Sequence, residues 1–248
     1  GGTNVQLAYN RKEDRIVIIE INPRTSRSSA LASKATGFPI ALISAKLAAG
    51  MSLDELPYWR DGSLEKYSPG GAPSGQYIVL KFARWGFEKF NNIKDSLGTQ
   101  MKAVGEVMAI GKTFKETFQK AIRGLENGRH GLGFAKDFNK KSLDELLDAL
   151  RIANSERYFL LYEALRKGAC TEELSAITHI KSWYIEQMRE LVSLEEEMLK
   201  TPGRLPADEL LLQAKKDGFS DKYLAKILGL REKDVRRHRI ALGAVEGW

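Results

Sequence analysis

The sequence predicts an α+β fold in two parts, a mixed strand–helix portion followed by an all-helical one. Three observations predict it. Apolar, β-branched runs recur at residues 3–10, 16–22, 76–84 and 104–110, as strands do. Stretches with helical periodicity and capping serines lie among them. After Ser142 only helical pattern remains. The 248 residues leave room for two domains or one large one. A hydrophobic fraction of 43% with 29% charged residues describes an ordinary globular chain.

Thr3–Asn10 alternates, the polar cluster Arg11–Arg15 reads as a hairpin loop, and Ile16–Asn22 is a second strand whose apolar run reads as buried. Pro23 removes a ladder donor and marks that strand's end. Ser28 or Ser29 caps a helix that Gly37 stops. Phe38–Gly50 is a second helix, with Pro39 in its first turn. Ser52-Leu-Asp-Glu55 is a capping-box pattern opening a short helix that Pro57 interrupts. Residues 60–75, with Gly62, Pro69, Gly70, Gly71, Pro73 and Gly75, read as a surface loop. Strands at Gln76–Arg84 and Val104–Ile110 follow. Between them Trp85, Phe87 and Phe90 interleave with Arg84, Lys89 and Lys94, a pattern that can stack bases but fits core packing beside a strand better. Lys112–Leu125 is amphipathic, with Phe114, Phe118, Ala121, Ile122 and Leu125 on one stripe.

Glu126–Lys141 loses periodicity, and the boundary is drawn there: 1–125 forms the mixed domain, 126–141 a linker and 142–248 the helical domain. His130, in the linker, reads as a neutral surface group. Helices are expected from Ser142, over Ser155–Lys167, Thr171–Ile177 and Ile180–Lys200, and from Pro206. In the longest of them Tyr184, Met188, Leu191, Leu194 and Met198 form an apolar stripe that Trp183 and Ile185 broaden, and Glu196 and Glu197 mark the wet side. An echo at a spacing of 50 matches Gly168 with Gly218, Leu174 with Leu224, Ile177 with Ile227, Ile180 with Leu230 and Ile185 with Val235, a duplicated helix–turn–helix. The second copy is basic, nine Lys/Arg against four Asp/Glu over Lys215–Arg239. That composition raises a nucleic-acid-binding alternative. The first copy lacks the basic excess, which favours a structural hairpin used twice.

The formal charge of +7 permits anionic ligands or partners. No apolar run approaches the roughly 18 residues of a membrane span, and none reads as a signal peptide. A single cysteine, Cys170, excludes an internal disulfide and fits a reducing compartment, the cytoplasm. It sits at a turn-to-helix junction, where a structural role is expected. The opening Gly1-Gly2, running directly into a strand, reads as the start of a fragment.

The chemistry-bearing stretch is the first hairpin. Glu20, Asn22 and Arg24 follow at spacing two, so they share a face while the strand persists. If Asn10 faces Ile16, Gln6 lies opposite Glu20 and Asn4 opposite Asn22. Such partners sit about 4.5–5.5 Å apart at Cβ. A carboxylate, amide oxygens and a guanidinium on one face suit a hard divalent cation carrying a phosphorylated substrate. The alternative is an ordinary hairpin whose polar face meets water.

Glu20-Ile-Asn-Pro-Arg24, continued by Ser26-Arg-Ser-Ser-Ala-Leu-Ala-Ser-Lys-Ala-Thr-Gly37, resembles the large subunit of carbamoyl-phosphate synthetase. The likeness is to the end of the ATP-grasp domain in the amino-terminal, carboxyphosphate-forming half. Met101-Lys-Ala-Val-Gly-Glu-Val-Met-Ala-Ile-Gly111 is a second match, and the helical stretch is similar to the family's oligomerisation domain. The resemblance therefore implies the C-terminal portion of an ATP-grasp domain followed by an all-α domain. It implies ATP and Mg²⁺ or Mn²⁺ as cofactors, with Gln6 and Glu20 on one ion and Glu20 bridging to a second that Asn22 also holds. Arg24 would clamp bicarbonate or the transferring phosphoryl group, Arg27 would assist, and Asn4 would stand behind the ligands. Implied partners are a glutamine amidotransferase small subunit, the rest of the large subunit and further copies of the chain, with no nucleic acid and no membrane. The glycine-rich phosphate lid and adenine pocket of the family have no counterpart here, so the chain alone is expected not to turn over ATP. An oligomerisation module without chemistry and a helix-turn-helix binder are the competing readings.

Overall fold

Alternation in the first 22 residues produces a two-stranded antiparallel ribbon, β1 (Asn4–Asn10) and β2 (Arg15–Asn22). This is a computed structural model, and it describes residues 1–60, 63–66, 76–87 and 93–245, with backbone only for 57–60 and 63–66. The chain divides into two compact units, Gly1–Gln76 and Tyr77–Trp248.

In the first unit the ribbon is followed by α1 (Arg27–Thr36) and α2 (Ile40–Ala48), then a single 3-10 turn at Leu53–Glu55. That turn carries the capping box expected at Ser52 and Glu55. Pro57 opens a strand, β3 (Pro57–Arg60), which pairs antiparallel with β4 (Ser63–Lys66). The stretch read as loop thus begins with paired strands, and the rest of it (residues 61–62 and 67–75) lies outside the described residues. Among the described residues of this unit, the buried hydrophobic side chains are Ile43 and Leu56.

The second unit is built on one core. β5 (Ile78–Trp85) and β6 (Ala103–Gly111) pair antiparallel, with a register shift between Arg84 and Trp85. Next comes α3 (Phe114–Gly124), capped by the Thr113 hydroxyl accepting from the Glu116 amide. Phe82 and Ala109 of the strands, and Phe118 and Ile122 of α3, share one cluster with the helices downstream. Of the aromatic–basic stretch between the strands, Phe87 lies under the Lys102 ammonium, whereas Lys89 and Phe90 lie outside the described residues. Residues 126–137 add Leu132 and Ala135 to the same core, 1% and 5% exposed. Seven helices follow: α4 (Leu143–Leu150), α5 (Arg157–Arg166), α6 (Thr171–Thr178), α7 (Ser182–Leu199), α8 (Asp208–Lys216), α9 (Asp221–Leu228) and α10 (Glu232–Ala241). No helix among the described residues is long and apolar enough to cross a membrane.

The 50-residue echo is structural. α5–α6–α7 and α8–α9–α10 repeat one three-helix unit. Gly168 and Gly218 both take left-handed φ, +91° and +93°, and so do His179 and Gly229 at the second turn. Leu174 and Leu224 are fully buried at matching positions, as are Ile185 and Val235. Gly218 also sits against α3, where a Cβ would come within 2.9 Å of Glu116 Cα, so glycine is required there for conformation and for space. The adjoining carbonyls accept from α3: Asp217 O from Gln119 Nε2 at 3.2 Å and Gly218 O from an Arg123 guanidinium nitrogen at 2.6 Å.

The stripe expected on α7 is corrected in two places. Trp183 and Tyr184 are exposed and meet the Phe114 ring at steep angles, edge-on for Trp183 and tilted for Tyr184. Glu195, which apolar periodicity alone would not put inside, is fully buried. It accepts from the Tyr162 and Tyr223 hydroxyls, each at 2.9 Å, and pairs with Arg166 at 2.5 Å. Arg166 also holds the buried Glu163, whose other oxygen accepts from the Phe134 amide at 2.6 Å. Burial pushes the Glu195 carboxyl upward against the pull of Arg166 and the two tyrosines. Burial, followed by the charge of Glu195, pushes both phenols well up. Gly133 closes the cluster, because a Cβ there would fall 2.5–2.7 Å from the Tyr223 hydroxyl, Glu195 and Arg166.

Removing one member of a buried ionic network commonly costs about 3–5 kcal/mol, because its partners stay buried without it. Glu195→Ala should lower urea-unfolding stability by that order, whereas Glu196→Ala, on a half-exposed side chain, should cost about 1 kcal/mol or less. A pH dependence follows from Asp221. Burial alone would raise its carboxyl, but bonds from Lys215 at 2.7 Å and Arg239 at 2.8 Å more than offset this and hold it below its usual value. A depressed folded pKa stabilises fully above the unfolded value of about 3.9, and that stabilisation is lost as pH falls through the lower folded one. Stability measured against pH should therefore fall below about pH 4, and Asp221→Asn should remove that part of the acid limb.

Candidate functional site

The first ribbon carries the candidate site at its open end. The ladder pairs Asn4 with Asn22, Val5 with Ile21 and Gln6 with Glu20, then shifts between Gln6 and Leu7. Beyond the shift Leu7 faces Ile18, Tyr9 faces Ile16 and Asn10 faces Arg15. The expected Asn10–Ile16 pairing is thus corrected by one residue at the loop, while the partners expected at the open end stand. A bulge at Ile19 absorbs the difference, since one extra residue on β2 lets both registers coexist and turns the strand locally. At the loop Asp14 takes φ +47° and accepts from the Tyr9 hydroxyl at 2.7 Å.

Asn4, Gln6, Glu20 and Asn22 therefore share one face of two strands. The Asn22 amide nitrogen donates to Glu20 Oε1 at 2.5 Å, which braces the carboxylate. Asn4 Oδ1 is buried and has no hydrogen-bond partner, an acceptor left open beside that pair. The other face carries Val5, Leu7, Tyr9, Ile16, Ile18 and Ile21, which are 48–65% exposed. The strand that reads as buried is therefore uncovered here, because a lone two-stranded ribbon has no second layer over its apolar face.

Arg24 leaves this arrangement. β2 ends at Asn22, and the Arg24 amide bonds back to the Asn22 carbonyl at 2.7 Å. The Arg24 guanidinium is exposed and donates to the Thr25 carbonyl at 3.1 Å. The expectation that Glu20, Asn22 and Arg24 project as one strand face holds only for the first two. Arg27 opens the first turn of α1, and that turn is fixed by Ser26. The Ser26 hydroxyl accepts from the Ser29 amide at 3.3 Å, and the Ser29 hydroxyl accepts from the Ser26 amide at 3.0 Å. The cap is thus Ser26 rather than Ser28 or Ser29. The reciprocal three-residue spacing was the signal for it. Gly37 ends the helix at φ +72°. Gly2, just ahead of β1, lies so close to α2 that a Cβ would meet Ser44 Oγ at 2.6 Å.

The donor set is one carboxylate with amide oxygens. Among the described residues, no group of three or more His, Cys, Asp or Glu side chains is placed to hold a metal ion. Such a set does not suit zinc or a soft metal, and it fits a hard cation that takes its remaining ligands from phosphate and water. The open Asn4 oxygen beside the braced Glu20 carboxylate is the feature of this structure that accommodates it.

Residues 106–243 match the family model described as carbamoyl-phosphate synthetase large chain, oligomerisation domain. Residues 1–56 match the one described as carbamoyl-phosphate synthase L chain, ATP binding domain. Among curated proteins, the chain is 45% identical to the carbamoyl phosphate synthase large chain of Archaeoglobus fulgidus, covering 98% of this chain and 23% of that protein. It is 44% identical to the arginine-specific, chloroplastic large chain of Arabidopsis thaliana, covering 100% of this chain and 21% of that one. It is 42% identical to the N-terminal section of the large chain of Methanopyrus kandleri, covering 98% and 45%. The chain thus spans between about a fifth and a half of the length of these relatives.

The α1 cap is open to a direct test. Ser26→Ala should cost about 1 kcal/mol, read as faster amide exchange confined to the first turns of α1.

Proposed function

The chain belongs to the carbamoyl-phosphate synthetase large-chain family, and on that premise we propose that it contributes the phosphate-handling end of the site that makes carboxyphosphate. The parent enzyme uses ATP to phosphorylate bicarbonate, and ammonia then converts carboxyphosphate to carbamate. A homologous half phosphorylates carbamate in turn, supplying arginine and pyrimidine synthesis. The observation that carries this reading is the pairing of Gln6 with Glu20 and Asn4 with Asn22 on one ribbon face, with Asn22 bracing Glu20.

Gln6, Glu20 and Asn22 would hold Mg²⁺ or Mn²⁺, with Glu20 shared between two ions and Asn4 offering its open oxygen. When bound, the metal neutralises charge on the β- and γ-phosphates of ATP. The chain's own part is positioning. Asn22 fixes the carboxylate rotamer of Glu20, and the Ser26 cap fixes the turn from which Arg24 and Arg27 are displayed. Arg24 would reach bicarbonate or the transferring phosphoryl group by exchanging its single bond to the Thr25 carbonyl, and Arg27 would add a second positive charge from the start of α1. No covalent bond to protein is needed, because phosphoryl transfer relies on alignment and charge stabilisation.

The functional division we propose is 1–125 for the synthetic domain, 126–141 as connector and 142–248 for oligomerisation. Compactness cuts elsewhere, after Gln76, because β5, β6 and α3 share their core with the helices. Further copies of the chain, the remainder of the large subunit and an ammonia-supplying glutamine amidotransferase subunit are the proposed partners, and the cytoplasm is the proposed compartment. The nucleic-acid alternative is weakened by the pairing of three arginines at the start of α10 and within it. Arg231 pairs with Asp234, Arg236 with Glu232, and Arg239 with Asp221.

In a full-length synthetase carrying this segment, Glu20→Gln should lower bicarbonate-dependent ATP hydrolysis by roughly 10²–10³, the usual cost of one lost electrostatic stabiliser. Unchanged turnover in a folded variant would remove the hairpin from the site.

A further inference from the structure

The duplicated three-helix unit contains its own control for what its packing requires. Ile185 of α7 and Val235 of α10 occupy matching inward positions, and both are fully buried. The two residues ahead of each differ in kind. In the second copy they are Lys233 and Asp234, as suits the wet side of a helix. In the first they are Trp183 and Tyr184, 55% and 42% exposed. The unit therefore folds without aromatic side chains at these positions. The two rings join Phe114 of α3 in one surface cluster, with centroids 5.0–5.4 Å apart. Phe114 stacks inward on Phe118, 5.4 Å away, which roots the cluster in the core. Covering Phe114 does not account for the cluster, since more than half of Trp183 remains outside.

Within 106–243 the other large apolar side chains exposed among the described residues are Ile110, Ile152 and Ile240. They lie apart, on β6, in the turn after α4 and on α10. Tryptophan and tyrosine gathered on a surface are what a protein contact centres on, because they dominate its energy once desolvated. The rim around the cluster carries both signs of charge. Lys115, next to Phe114, bonds Glu190 at 2.9 Å and Asp217 at 3.2 Å. Lys181 stands at the start of α7, and Glu186 and Arg189 of that helix pair with each other. Such a rim does not select a polyanion. It suits a second copy of the chain, since across a two-fold axis like surface meets like and a single-sign rim would repel itself.

We propose that Phe114, Trp183 and Tyr184 form the centre of a two-fold contact between two copies of this chain. The inference rests on the oligomerisation role proposed above, and it names the face, which the family's description leaves open. Each ring offers at most roughly 150–250 Å², and a stable contact takes roughly 800 Å² per partner, so the interface extends beyond the rings. Helical spacing puts Trp183, Gln187 and Glu190 on one stripe of α7, and the contact runs along it to Lys115. In an isologous contact this stripe lies against the same stripe of the other copy.

Association of the chain is measured by sedimentation velocity over a concentration series. The unmodified chain is expected to dimerise reversibly, and hydroxyl-radical footprinting should show Trp183 protected as concentration rises. Trp183→Lys introduces the side chain that the second repeat carries at its matching position, and it should weaken the dimer about thirtyfold, the loss of one central aromatic. Tyr184→Ser should act in the same direction, and it decides the matter if Trp183→Lys does not fold. Ile240→Lys, at an exposed apolar side chain of the second repeat, should leave association unchanged. A dimer that Trp183→Lys and Tyr184→Ser leave intact, or that Ile240→Lys weakens equally, overturns this face and leaves the oligomerisation reading standing. A chain that stays monomeric at every concentration overturns both. Protection of Trp183 that then appears only in a full-length synthetase carrying this segment assigns the face to the remainder of the large subunit instead.

Discussion

The helical body depends on one buried ionic knot, the Arg166 guanidinium held between Glu163 and Glu195. Two fully buried carboxylates share one guanidinium, whose outer edge also meets Glu196. Buried carboxyl groups are tolerated when each of their oxygens has a hydrogen-bond partner, as all four do here. The Tyr162 and Tyr223 hydroxyls and the Phe134 amide complete that engagement. Through them the knot ties α5, α7 and α9 to the segment that follows α3. It also dictates Gly133, since any side chain there would displace the atoms that satisfy the charge. The duplicated three-helix unit supplies the frame, with its turn glycines at the same φ, and the knot joins one copy to the other.

The first ribbon obeys a different constraint. Its loop and its open end demand registers that differ by one residue, and the bulge at Ile19 reconciles them. Without it a single slip would move Glu20 to the face opposite Gln6. The bulge thus separates the ribbon into an end where polar side chains converge and an end where ordinary strand alternation resumes. The exposed apolar face and the polar face are two consequences of the same alternation. The candidate chemistry lies on one of them, supported by Asn22 against Glu20 and by the capped start of α1.

In the basic second repeat part of the positive charge is met by acids within the fold. Nine cationic residues over Lys215–Arg239 suggest a surface for polyanions. In the folded chain Lys215 and Arg239 converge on Asp221, and Arg231 and Arg236 turn to acids on their own helix. Before α5, Arg129 and Lys136, unremarkable in sequence, meet over the Glu156 carboxylate.

The sequence by itself determined what depends on neighbours within a turn or a strand. The ribbon, the helices, the capping box at Ser52, the repeat from Gly168 to Gly218 and the polar residues at spacing two were all legible, because local periodicity and backbone preference act through residues close in the chain. The motif from Glu20 to Gly37 identified the family for the same reason, being contiguous. Tertiary structure alone decided the bulge at Ile19, the departure of Arg24 from the strand face, the burial of Glu195, the exposure of Trp183 and Tyr184 and the pairing of Arg129 with Glu156. Each depends on a partner strand, a partner side chain or a missing layer. A buried charge is stable only where distant residues converge to satisfy it, and no single stretch of sequence carries that information.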